Sequence, residues 1–428
     1  MMQTYRYGEI PIEEIFDRTA KGEDVSRTVG EILLDVKKNK DEALKRYTEK
    51  FDGAAPDSFA VSEDEWDRAV DSVSREFLEV LREAAAHIRL FHEKQKRNDF
   101  VITEREGVVL GQKVIPLDRV GLYVPGGTAS YPSTVLMDCI PAKIAGVREI
   151  VMVTPAKAGK LNPEVLAAAR IAGVDRIFKV GGAQAIGALA YGTETVPRVD
   201  KIVGPGNAFV AEAKRQVFGA VSIDMIAGPS EILVITDEAS DAAWVAADLL
   251  SQAEHDRQAQ AVLVTDSRQL AERVEKELER QLAKLPRREI AEASLKQNGK
   301  IILADSIRQA IEISNEIAPE HLELCVEEPF AWLALVRHAG SIFLGRNAPE
   351  ALGDYFAGPN HTLPTGGTAR FSSPLSVDDF VKKSSFTYYT KKALQNEAEK
   401  IAAFARREGL EGHARSALAR LYEGEERL

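Results

Sequence analysis

The chain has 428 residues, 45% hydrophobic and 28% charged, ordinary values for a packed globular protein that exclude disorder, collagen and fibrous coiled coil. At roughly 150 residues per domain this length implies two to four domains. Acidic residues outnumber basic ones, 66 to 55, for a formal charge of −11; without a long basic run, nucleic acid and anionic membranes are not expected partners, and a small molecule is.

Residues 12–100 read as mostly helical. The segment 62–96 repeats apolar residues at three- and four-residue spacing, and Ser62 followed by Glu65 makes a capping box. Residues 99–113 alternate polar and apolar positions around Gly107 and Gly111, as a hairpin does. From about Val120 short β-rich runs alternate with helical ones: RVGLYVP, EIVMVTP, RIFKVGG and KIVGPG, with helices at 133–145, 163–172, 183–191 and from Asn207. The alternation resumes with EILVITD, AVLVTD and KIILAD and helices at 240–255, 267–285 and 306–317. Strand–helix alternation with Gly or Pro at strand exits predicts parallel sheets with crossover helices.

The expected fold is α/β: two incomplete Rossmann-like parallel-sheet domains with small helical segments at each terminus. The expected division is an N-terminal segment (1–20), a first α/β domain (21–121 with 232–374), a second (122–231) and a helical tail (375–428). The early helices are assigned to the first of these because they need a sheet to pack on. The tail reads as helical over 391–427.

Cys139 and Cys325 stand far apart in apolar stretches, which suits neither a disulfide framework nor a CxxC zinc site and fits a reducing cytoplasm. The N-terminus has no apolar or transit-peptide character, and no apolar run approaches the roughly 18 residues of a membrane span. A cytoplasmic protein is the expectation.

The loops carry the chemical information. Gly126-Gly127, Gly181-Gly182 and Gly204-Pro205-Gly206-Asn207 each follow an expected strand, where ligands of open α/β sheets bind and helix N-termini attract phosphate. Each is also a plausible tight turn, since none completes a GxGxxG. Gln252 and His255 end a long helix on one face, suited to a shared ligand or to a polar helix end. Residues 317–322 read as a helix start, where the dipole would keep His321 neutral as a base, with Glu320 beside it; a polar cap is the alternative. Asp354 and His361 stand in a long loop dense in Gly, Pro and Asn, uncommon unless it has a function. Glu408 and His413, five apart, fit no metal spacing and read as exposed helical charges. His87, His92 and His338 are assigned to helices and to structure.

Taken in order, VGLYVPGG, VGGAQAIGALAYGT, GPGNAFVAEAKR, IDMIAGPSEILVI, DLLSQAEH, APEHLEL and GDYFAGPNHTLPTGGTARF resemble histidinol dehydrogenase. Each motif is modest, but the ordered set is specific and the similarity runs from about residue 15 to the C-terminus. The resemblance implies oxidation of L-histidinol through L-histidinaldehyde to L-histidine with two NAD⁺, the last stage of histidine biosynthesis. It implies an intertwined homodimer with one Zn²⁺ per subunit, which places metal and catalysis in the first α/β domain and NAD⁺ in the second. Matched motif by motif, Gln252, His255, Asp354 and His413 would hold the zinc, His413 reaching across to the partner subunit. Histidinol would be held by the same four, His321, and the matched positions Ser230, His361 and Glu408. His321 would be the base, Glu320 would activate water, and Tyr123, Gln184 and Asn207 would contact NAD⁺.

Two imidazoles, a carboxylate and an amide oxygen form a set that zinc accepts. The resemblance implies that the substrate's imidazole and amine fill the remaining positions, so that zinc anchors the substrate more than it polarises the reacting carbon. Other readings stand beside this one. An NAD-dependent aldehyde dehydrogenase would use Cys139 or Cys325 as nucleophile. A zinc hydrolase would need no NAD⁺ and leave the glycine-rich turns without a purpose. A binding module gives no reason for Glu320-His321 beside a metal-type set.

Overall fold

The computed structural model describes residues 2–9, 11, 15, 24–126, 131–156 and 159–421. Gly127, half of the first 20 residues and the end of the tail therefore lie outside the described residues. Among them the strands are β1 (Gln3–Arg6), β2 (Phe100–Ile102), β3 (Val108–Pro116), β4 (Arg119–Tyr123), β5 (Glu149–Thr154), β6 (Arg176–Lys179) and β7 (Lys201–Val203). They continue with β8 (Ser222–Ile223), β9 (Glu231–Thr236), β10 (Gln260–Thr265), β11 (Lys300–Leu303), β12 (His321–Cys325), β13 (Ser341–Leu344) and β14 (Val381–Tyr389).

The chain forms two compact units, one of Met1–Gln95 with Leu117–Phe380, the other of Lys96–Pro116 with Val381–Leu428. The larger unit holds two parallel sheets, ordered β6-β5-β4-β7-β8 and β1-β11-β10-β9-β12-β13. Counting each sheet's strands from β4 or from β9, both follow the doubly wound order 3-2-1-4-5; β1 is added at the edge of the second. The apolar runs explain the central positions: β5 and β9 are buried almost throughout, as strands covered on both faces must be. The crossover helices end where the sequence provides for it. In Pro163–Ala172, Asn162 accepts a hydrogen bond from the Glu164 N–H, Pro163 opens the first turn, and Gly173 closes it at φ 90°.

Five expectations are corrected. The periodic segment 62–96 is not continuous: Ser62 caps Glu63–Asp71, and Ser74 starts a new helix, Arg75–His92, by accepting from the Phe77 N–H. The early helices cover the five-stranded sheet, not the six-stranded one. Trp66, Leu81 and Ile88 join Leu136, Ile140 and Leu166 in one core, while Val29, Leu33 and Leu44 join Ile186 and Val210 in another. The apolar faces of the crossover helices offered the surface those helices needed, and residues 59–61 pair with the β6 edge. Residues 317–322 are a helix end and a strand start: Ile307–Ile317 closes on Ala318 in the left-handed region and β12 begins at His321. His338 lies outside any helix.

The last correction concerns the tail, which is not wholly helical. In the smaller unit the expected hairpin is present as β2 and β3, and β14 pairs antiparallel along the whole of β3. VKKSSFTYY, exposed along most of its length, supplies that strand before the helices Lys391–Gln395, Ala398–Arg407 and Glu411–Leu418. No described helix is long and apolar enough to cross a membrane.

Candidate functional site

The carboxyl edge of the five-stranded sheet carries the glycine turns. A Cβ on Gly126 or on Gly181 would come within 2.6 Å of Pro155, so both turns close against the residue that follows β5. Gly204 has φ 112°, and its Cβ would lie 2.2 Å from the Tyr123 carbonyl oxygen, in the crevice where the strand order reverses. The Tyr123 hydroxyl accepts from the Gly182 N–H at 3.1 Å, and burial pushes this phenol up to about 12. Gly181 has no side chain to cap helix Gly182–Tyr191, so beyond the Gly182 N–H its N-terminus is left suited to a phosphate. The Oε1 of Gln184 is buried without a hydrogen-bond partner. Asn207 accepts from the N–H groups of Phe209 and Val210 and so starts the helix Ala208–Val217. These features fit a dinucleotide at this edge.

The six-stranded sheet is arranged differently. At its carboxyl edge both carboxylate oxygens of Asp237 after β9 accept from Nη2 of Arg346 after β13 at 2.7 Å, and the Ser240 hydroxyl donates to the Cys325 carbonyl. The candidate acid–base residues lie at the opposite, amino edge. There the Glu231 N–H donates to Glu320 Oε2 at 2.8 Å, and the Glu231 carbonyl accepts from His321 Nδ1 at 2.9 Å. One residue's backbone therefore holds both side chains. With Nδ1 donating, the neutral imidazole presents Nε2 as the free base. Burial lowers the His321 pKa to about 4, with nearby His255 and His361 adding to the effect, so the dipole of a helix start is not the cause. Burial raises Glu320 well above the carboxylate range, reinforced by Glu231, Asp354 and Glu350.

Around this pair lie further predicted residues. Ser230 immediately precedes β9, and its carbonyl accepts from the Gln260 N–H. Asp354 sits on the short helix Glu350–Tyr355, and its carbonyl accepts from His361 Nδ1 at 3.0 Å. Burial pushes Asp354 up to about 6 and lowers His361 to about 4. Gln252 closes the helix Ala242–Ala253, wholly buried, with neither amide atom hydrogen-bonded. His255 follows on an exposed turn beside a cavity of about 340 Å³ lined also by Leu81, Tyr131, Leu136, Arg287 and Tyr355. Among the described residues, His321, Glu350 and Asp354 bring ligand atoms within 4.8 Å of one another. A buried amide lacking any partner, next in sequence to Ser251, whose hydroxyl donates to Glu350 Oε2 at 3.3 Å, fits a cation.

Sequence reasoning missed Glu350. It is buried, its Oε1 has no hydrogen-bond partner and lies 3.6 Å from His321 Nε2, and burial together with Asp354 pushes it up to about 8. Its spacing of four from Asp354, one turn along a helix, was the available signal. Glu323, two residues along the same face of β12 as His321, accepts from the Glu350 N–H at 2.6 Å and anchors that helix. The backbone role of Glu231 had no sequence signal.

Glu408 and His413 belong to the smaller unit. Both are exposed there, and His413 lines a cavity of about 820 Å³ with Tyr389, Glu397, Ile401 and Arg420. His87 and His92 bond backbone carbonyls of Phe356 and Ile88, as structural histidines do. Cys139 and Cys325 are buried, and burial pushes both thiols far up, away from the thiolate a nucleophile requires.

The model of the family described as histidinol dehydrogenase matches residues 17–421. A histidinol dehydrogenase of Bacillus cereus (strain ATCC 10987) is 59% identical over 403 residues, covering 94% of each chain. One of Geobacillus kaustophilus is 57% identical over 404 residues, 94% of this chain and 95% of the relative. The crystal structure of histidinol dehydrogenase from Elizabethkingia anophelis superposes with a TM-score of 0.93 at 42% identity, over 98% of each chain.

Proposed function

This chain belongs to the histidinol dehydrogenase family, and from that premise we propose that it oxidises L-histidinol through L-histidinaldehyde to L-histidine in two NAD⁺-linked steps. It is an NAD-dependent oxidoreductase acting on the CH–OH group of its donor, in histidine biosynthesis. The observation that carries the two-step reading is the double hold of Glu231 on Glu320 and His321. Hydride loss and water addition at one carbon need two proton acceptors fixed relative to each other.

His321 Nε2 takes the hydroxyl proton as the hydride leaves. Glu320 takes a proton from the water that adds to the aldehyde carbon, while the protonated His321 gives its proton to the carbonyl oxygen, which forms the hydrate and frees Nε2 again. His321 then takes the proton of the hydrate hydroxyl in the second oxidation. Zinc supplies, when bound, an anchor for the imidazole and amine of histidinol, and NAD⁺ the hydride acceptor. Gln252, His255 and Asp354 would hold the zinc together with His413 of the partner subunit; the unpartnered Gln252 amide supports this. Ser230, His361 and Glu408 of the partner subunit orient the substrate, while Tyr123, Gln184 and Asn207 face NAD⁺. The exposure of Glu408 and His413 on their own unit supports a homodimer that shares its sites. We place the enzyme in the cytoplasm.

The test is the end-point yield of NADH from limiting L-histidinol, with zinc and excess NAD⁺. Two NADH per histidinol are expected. One would mean that the aldehyde escapes and the Glu320 role is wrong; none, from folded zinc-loaded protein, would overturn the reading.

A further inference from the structure

Lys214 and Asp224 form a buried ion pair in the larger unit, their side chains only 2% and 1% exposed. Lys214 comes from the helix Ala208–Val217 and Asp224 follows β8. Both converge on one peptide neighbourhood. Lys214 Nζ donates to the Gly204 carbonyl at 2.9 Å, and the Gly204 N–H donates to Asp224 Oδ2 at 2.8 Å. Asp224 Oδ1 takes the Met225 N–H as well as the lysine. On its other side Gly204 is pressed on the end of β4 and approaches Asp138, whose Oδ2 is buried without a partner.

Stability alone does not account for such a pair, because a buried ion pair is often matched or exceeded by well-packed apolar residues. What charged partners do supply is geometry: each has one orientation in which its hydrogen bonds are made. Here that geometry fixes both polar groups of the residue at the strand-order reversal, and through it the start of the helix capped by Asn207.

We propose that Lys214 and Asp224 are positioning residues that clamp Gly204, holding the turn Gly204–Asn207 in the conformation that binds NAD⁺. The proposal rests on the reading that this turn belongs to the NAD⁺ site. The clamp touches no substrate atom; it acts through the backbone of the turn. Its loss therefore weakens dinucleotide binding and leaves histidinol binding alone.

The test uses the full-length, zinc-loaded enzyme and the paired variant Lys214→Met/Asp224→Asn, which removes both charges together and strands neither. Lys214→Arg, which keeps a charged donor, is the conservative control and the second variant should the pair fail to fold. The readouts are the NADH dissociation constant by fluorescence titration, and KM for NAD⁺ and for histidinol separately. The paired variant is expected to weaken NADH binding about tenfold, the scale of a small misplacement of a positioned group, with KM for histidinol unchanged. Lys214→Arg should lose less than the paired variant, or, standing alone, shift NADH affinity without shifting KM for histidinol. Unchanged NADH affinity in the folded paired variant, or in Lys214→Arg where that variant stands alone, or an equal rise in both KM values, would overturn the clamp. Asn207→Ala separates the two layers. If it leaves NADH affinity untouched, the turn is not part of the NAD⁺ site and the proposal falls with that reading. If it weakens NADH while the clamp variants do not, the clamp alone is wrong.

Discussion

The two parallel sheets of the larger unit share a strand order and differ in which edge is open. In the five-stranded sheet the carboxyl edge ends in glycine turns and an uncapped helix N-terminus. In the six-stranded sheet that edge is closed by the Asp237–Arg346 pair, and the titratable cluster sits at the amino edge around Glu231. Strand order creates a crevice, but the side chains at each strand exit decide whether it is available. Glycines leave room for a dinucleotide's phosphates, whereas acid–base chemistry needs buried groups held by backbone atoms that cannot rotate away.

Changes at the amino edge should therefore act on the rate of chemistry. The largest effect is expected for His321→Ala: removing the proposed base should lower kcat for histidinol oxidation by roughly 10²–10⁴-fold with NADH affinity retained. Equal loss of NADH binding would erase the division between the edges. Glu320→Gln sharpens it further. That variant should still oxidise histidinol to the aldehyde but lose roughly 10²-fold in the second half, read as one NADH per histidinol at early times. Loss of both halves to the same degree would count against separate roles.

The burial that tunes the amino edge should also appear in stability. An imidazole such as His361 protonates near pH 6.5 when free but only near pH 4 in the fold, so between these values the unfolded chain binds more protons. Its contribution is present above pH 6.5 and lost as the pH falls towards 4. Glu350 and Asp354, with raised pKa values, act in the opposite sense, losing their contribution as the pH rises. Comparing the metal-free parent with His361→Gln by urea denaturation isolates the histidine. The parent should lose roughly 2 kcal/mol more than the variant between pH 7 and pH 5. Parallel curves would mean that His361 is not held neutral by burial. The smallest effects belong to the thiols, which lie at neither reactive position: Cys139→Ser and Cys325→Ser should each keep both half-reactions, measured separately. Selective loss of the second hydride transfer would revive a thiohemiacetal route.

Much of this was legible in the sequence. Parallel strands buried on both faces read as continuous apolar runs, and their helices carry caps and terminal glycines, so the α/β class and most elements follow from local chemistry. The family motifs singled out Glu320, His321, Gln252 and Asp354, three of which the fold gathers around one buried edge and the fourth of which, Gln252, it leaves buried with an unsatisfied amide.

What the sequence by itself determined was the alternation of elements and the residue types at the strand exits, because periodicity, caps and turns depend on near neighbours. Tertiary structure alone decided how distant segments combine. It set the early helices on the five-stranded sheet, where crossover helices offered an apolar surface, and turned VKKSSFTYY into a strand because β3 had an unpaired edge. It made a strand start of residues 320–321, so that burial rather than a helix dipole holds His321 neutral. It also brought Glu350 to His321 and Lys214 with Asp224 to Gly204. A buried charge is intelligible only once its partner is known, and here each partner lies on a different element of the fold.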